Sequence, residues 1–153
     1  PYHGDFNFSG NIWISEDGNR LFAKSRRVFN SSTSEANDMT YNGELVGEGK
    51  VVPLDYSVAA QRVYAIFTEG NSWDEKPTNE IRNNNTEFLA FKGTVELPGF
   101  FIPDGNGGGE IYKSQGHFGF FNSSGTEYYV LVKAEEGSGA QNEWAIATID
   151  VNE

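Results

Sequence analysis

The chain reads as all-β, built from antiparallel sheets, on three observations. Its 153 residues combine 12 Phe, 7 Tyr and 3 Trp with 18 Gly, a balance of strand formers and turn formers over helix formers. Residues 10–25, GNIWISEDGNRLFAKS, set two short apolar runs on either side of a polar tip ending in Asp-Gly, the pattern of a β-hairpin. The same form returns twice, as VVPLDYSVAAQRVYAIFTEG at 51–70 and GHFGFFNSSGTEYYVLVKAEEG at 116–137.

Each hairpin opens a unit. The first continues with RRVFNSS and MTYNGELVG, the second with TEFLAFKG and TVELPGF, and the third with EWAIATIDV. Two hairpin strands and two further strands make a four-stranded antiparallel sheet, so the units fall at about 10–50, 51–100 and 116–153 within one domain spanning 1–153. The third unit reaches only a third strand, since EWAIATIDV runs to Val151. Residues 71–85 and 98–115, rich in Pro, Gly and Asn without a sustained period, are expected to be long loops. The unit length matches propeller blades carrying an insertion, whereas recurrent turns also suit a β-sandwich, which stands as the alternative fold.

The tip Ser15, Asp17, Gly18, then Arg20 and the pair Leu21-Phe22, resembles the strand-turn-strand signature of bacterial β-propeller repeats of the YVTN and TolB-like type. The second copy keeps Asp55, Ser57, Arg62, Val63 and Tyr64, and the third keeps Asn122, Ser123, Gly125, Tyr128 and Tyr129. The resemblance implies a ring of about six to eight blades, of which this chain holds about three. It therefore implies the C-terminal part of a larger propeller, or a protomer that completes its ring by association. An incomplete ring bares the apolar faces of its first and last blades, which a soluble monomer seldom tolerates. Self-association, or pairing with a missing propeller segment, is accordingly expected.

Composition narrows function. A net charge of −11 repels a phosphate backbone, so nucleic acid is not an expected partner. No apolar run approaches the roughly 18 residues of a membrane span. The absence of cysteine excludes disulfides, thiolate nucleophiles and Cys-held metals. Four Asn-x-Ser/Thr sequons, at Asn7, Asn30, Asn84 and Asn122, are compatible with an extracellular or periplasmic protein.

Two stretches carry candidate sites. In PDGNGGGEI, Asp104, Asn106, Gly108 and Glu110 alternate on a glycine-rich backbone and resemble the front half of a calcium loop. The twelfth position is Gln115, where a bidentate Glu would complete an EF-hand. In NSWDEKPTNE, Trp73 stands in polar surroundings beside Asp74 and Glu75, where an exposed ring could stack on a sugar or anchor a protein, the alternative being a lid over the core. Phe118, Phe120, Tyr128 and Val130 have strand period and are assigned to the core. Arg26 and Arg27 form a basic pair suited to intramolecular ion pairing. Neither His3 nor His117 lies in a catalytic motif, and adjacent acids such as Glu16/Asp17 and Glu135/Glu136 point to opposite faces of a strand. The expected function is a non-catalytic binding or assembly module recognising protein or glycan through its inserted loops. The alternative is a propeller-type metal-dependent hydrolase or lactonase whose acids, Asp55, Asp104 and Glu110, converge from separate blades.

Overall fold

The computed structural model describes residues 5–152. Thirteen strands fill it, and among the described residues there is no helix, hence none long and apolar enough to cross a membrane. Strands β1 (Ile12–Ile14), β2 (Arg20–Ala23), β3 (Arg27–Asn30) and β4 (Tyr41–Glu44) form a first sheet in that order. Strands β5 (Val51–Ser57), β6 (Arg62–Glu69), β7 (Lys76–Asn85) and β8 (Phe91–Glu96) form a second. A projecting hairpin of β9 (Phe100–Pro103) and β10 (Gly109–Tyr112) precedes a third sheet of β11 (Ser114–Phe121), β12 (Glu127–Ala134) and β13 (Trp144–Asp150). All pairings are antiparallel between neighbours, and no sheet closes into a barrel.

The three hairpin tips are built alike because one position in each carries a short polar side chain that substitutes for backbone pairing. The Ser15 hydroxyl accepts the Arg20 N–H, the Ser57 hydroxyl accepts the Ala60 N–H, and the Asn122 amide oxygen accepts the N–H groups of Thr126 and Glu127. Gly18 (φ 73°) and Gly125 (φ 69°) supply the left-handed residue. In the second tip that duty moves one residue, from the aligned Ala60 to Gln61 (φ 54°). Arg20, Arg62 and Glu127 thus begin equivalent second strands, pairing across to Asn30, Asn85 and Asp150 of the third strands.

Stacking follows from alternation on β6. Val63, Ala65 and Phe67 join Phe22, Val28 and Leu45 in one core, while Tyr64 and Ile66 join Tyr128, Val130 and Val132 in the other. The second sheet is therefore buried on both faces, with the first sheet on one side and the third on the other. Polar contacts lock the tips in the same sequence. Glu16 accepts the Val58 N–H at 2.7 Å and Asp17 accepts the Tyr56 hydroxyl at 3.1 Å, tying the first tip to the second hairpin. Asp55 accepts the Phe121 N–H at 2.7 Å, tying the second hairpin to the third.

Two expectations are corrected. Residues 71–85 are not a long loop: Lys76–Asn85 is the third strand of the second sheet, and TEFLAFKG and TVELPGF contribute a single strand, β8. Residues 98–115 contain the β9–β10 hairpin. Phe118 and Phe120 are not core. A register shift between Gly116 and Phe118 places both on the face opposite Phe121, leaving them 57% and 48% exposed, whereas Tyr128 and Val130 are fully buried.

Candidate interaction surface

The two phenylalanines belong to a larger uncovered face. Cross-strand pairing on the third sheet aligns Phe118, Leu131 and Ile146 in one row, and Phe120, Tyr129 and Thr148 in the next. Neighbours in register stand on the same side of a sheet, so this face carries five large apolar or aromatic side chains from three strands. Phe120 lies 5.5 Å from the Tyr129 ring and 6.0 Å from Phe118, centroid to centroid. At one end Trp144 packs edge-on to His117 at 4.9 Å and lies under the Lys133 ammonium at 5.7 Å.

Register shows what the face corresponds to. Aligning Arg62 with Glu127 makes Tyr64 equivalent to Tyr129, Ile66 to Leu131 and, on the third strands, Ile81 to Ile146. Tyr64, Ile66 and Ile81 are sealed against the third sheet, with Ile66 and Ile81 at 0% exposure. Leu131 and Ile146 hold the same places with no further sheet against them among the described residues, at 38% and 72% exposed. The third sheet thus presents the residue types with which the second sheet binds its neighbour.

Charge is arranged at the margins. The Tyr129 hydroxyl donates to Glu127 at 2.8 Å, and that bond holds its pKa above the ordinary phenol value. Burial depresses His117, with Lys133 adding to the effect, so the imidazole is neutral at pH 7. Lys133 is itself paired with Glu143 at 3.5 Å.

The residues expected to bind ligand are distributed elsewhere. Trp73 tops the β6–β7 turn and is 98% exposed, so it does not lid the core. Asp74 pairs with Lys76 at 3.3 Å. Glu75 accepts the Thr68 hydroxyl at 2.7 Å and the Lys50 ammonium at 3.0 Å, bonds that hold its carboxyl below the usual value, Thr68 contributing most. Glu75 therefore fastens the turn to the start of β5. Asp104 curls back on its own loop, accepting the N–H groups of Asn106 and Gly108 at 2.8 and 3.0 Å, while Glu110, along β10, accepts the Tyr112 hydroxyl at 2.8 Å. Asp55 is engaged by Phe121 in the core junction. Among the described residues no three His, Cys, Asp or Glu side chains gather as metal ligands.

Of the remaining candidates, Arg26 is paired with Glu44 at 2.7 Å, and Arg27 lies over the Phe6 ring at 5.5 Å. Asn84 is 1% exposed within β7, so its sequon cannot be glycosylated in the folded chain. His3 lies outside the described residues. Leu131, Trp144 and Ile146 do not stand out in the sequence, because a strand with both faces apolar reads as core in either direction. Their signal lay in comparing the third unit with the second position by position. No protein-family model matches the chain, and no curated protein matches its sequence.

Proposed function

We propose that this chain is a non-catalytic assembly module of the β-propeller type, whose sheets are blades and whose third sheet is covered by a further blade in the working assembly. The observation that carries this reading is the equivalence of Tyr129, Leu131 and Ile146 with Tyr64, Ile66 and Ile81, the first set uncovered and the second sealed. A contiguous apolar face of this composition is costly to leave in water and marks a contact surface. The first sheet supports the same reading from the other end, since Ile12 and Ile14 point outward from its far face.

Sedimentation velocity tests it. The native chain is expected to associate as concentration rises, and the double variant L131E/I146E to sediment as a 16.9 kDa monomer with an unchanged far-ultraviolet spectrum. A native chain that stays monomeric throughout overturns the proposal. A second reading, capture of a protein or glycan by the loops, is favoured by the bare ring of Trp73. Glycan-array binding that W73A abolishes is the expected outcome under it.

A further inference from the structure

The arginines of this chain are spent on backbone carbonyls, with one exception. Arg20 donates to the carbonyls of Thr86 and Glu87, Arg26 to those of Leu45 and Gly47, Arg27 to Asn7 and Arg62 to Gln61. Arg82, on β7, is half-buried, and among the described residues it donates no hydrogen bond and joins no ion pair. Rings hold it instead. The guanidinium carbon lies 5.1 Å from the centroid of Phe67 and 4.4 Å from that of Phe91. Gly47 closes on the pair from the β4–β5 connection, where a Cβ would come within 2.8 Å of the Phe67 ring and 3.1 Å of the guanidinium carbon. Stacking engages the flat face of a guanidinium and leaves its N–H groups, which lie in the plane, unspent. Nε is buried without an acceptor, so the two terminal nitrogens are the donors left to an incoming group.

Arg82 lines a cavity of about 330 Å³, a volume in the range of small-molecule sites, between the β4–β5 connection, the end of β6 and β7. One wall is fixed by paired backbone: the Thr68 N–H donates to the Lys50 carbonyl at 2.8 Å, and the Lys50 N–H to the Thr68 hydroxyl at 2.9 Å. Glu48, Glu69 and Glu80 line the same cavity, exposed and without an ion pair among the described residues. Glu80 stands two residues from Arg82 on one face of β7, about 7 Å away at Cα, yet the guanidinium is committed to the rings and the two do not pair. Opposite Glu80 on β8 is Glu96, a like-charged neighbour whose repulsion a cation beside them would relieve.

A simple anion at this place would meet the glutamates, and a simple cation would meet Arg82. A molecule carrying both charges a short distance apart satisfies both. We propose that the cavity binds a free α-amino acid, its carboxylate on the terminal nitrogens of Arg82 and its ammonium toward Glu80, with Glu48 and Glu69 completing the acidic rim. A planar fork matched to a carboxylate is the particular chemistry of arginine. The site is built from the second sheet and the connection leading into it, away from the uncovered face of the third, so it stands or falls apart from the assembly reading.

Thermal melts and calorimetric titrations of the native chain with each of the protein L-amino acids at millimolar concentration test it. At least one is expected to bind and to raise the melting temperature. N-acetylation of that amino acid removes its ammonium and amidation its carboxylate, and each is expected to weaken binding by about 10- to 100-fold. R82K, which keeps the charge and loses the fork, and E80Q are expected to weaken it likewise, their unliganded melts showing that both are folded. Absence of binding by every amino acid overturns the proposal. An acetylated form that binds as tightly identifies a plain carboxylate site, and an amide that binds as tightly a plain cation site; either result overturns the assignment. Undiminished binding in R82K or E80Q overturns it as well.

Discussion

The second and third sheets carry nearly the same wall in two conditions. Tyr64, Ile66 and Ile81 are shut inside the molecule, while at matching positions Leu131 and Ile146 are exposed and Tyr129 is half-buried. What differs is the neighbour, not the residue. Burial in this chain is therefore a property of stacking order, and a residue's worth depends on whether a next sheet is present.

The largest break in that comparison should come from truncating equivalent isoleucines. Ile81→Ala is expected to lower unfolding free energy by about 2–5 kcal/mol, and Ile146→Ala to stay within about 0.5 kcal/mol in dilute protein. Urea titration reads both, and the two values should converge as protein concentration rises. The glycines of the first and third tips give the next contrast. A Cβ on Gly18 meets open space, so Gly18→Ala is expected to cost about 1 kcal/mol of left-handed strain. On Gly125 it would come within 2.7 Å of the Ala60 nitrogen and 2.8 Å of the Ser57 hydroxyl. Gly125→Ala should therefore cost about 2–3 kcal/mol, strain and clash together.

Smaller again is the pH response of the two locking carboxylates. Burial raises Asp55, so its folded value lies above its unfolded one, and its contribution is fully present below 3.8 and lost as pH rises through the folded value. Burial also works to raise Asp17, but bonds from Ser15, the Asn19 N–H and Tyr56 outweigh it. Its stabilisation is thus present at neutral pH and lost as pH falls through a value under 3.8. In melting-temperature series, D55N, which keeps an acceptor for Phe121, should be the more stable at pH 7 and converge on the native chain in acid. D17N should start less stable and converge from below. The smallest effect concerns salt: copies of net charge −11 repel, so added salt should strengthen association in sedimentation runs.

Much of the architecture was legible from sequence because it is local. Hairpin tips announce themselves through Ser15, Asp17, Gly18 and their counterparts, where side chain and backbone of a few residues decide the turn. Strand β7 was not legible. Within KPTNEIRNNN only Ile81 is an apolar core residue, and the strand forms because β6 and β8 pair with its backbone on both sides. The uncovered face was half legible. The alternation of Phe118 and Phe120 was plain, but which side it faced depended on the register that pairs Phe121 with Tyr128, and no local signal fixes that register. Trp73 was expected within a long loop at 71–85, of which only the short turn before Lys76 remains, and its exposure was open between a bare ring and a lid, because burial of a loop aromatic is set by chain distant in sequence.

The opposite placement of the first and third sheets has a consequence in symmetry. Under the proposed assembly, a copy whose third sheet meets the first sheet of another makes a heterologous contact, and each such contact leaves a new uncovered third sheet. The turn from one sheet to the next within a copy is then also the turn between copies. The angle between successive sheets decides whether the series closes on itself as a ring of fixed membership or continues as a fibre.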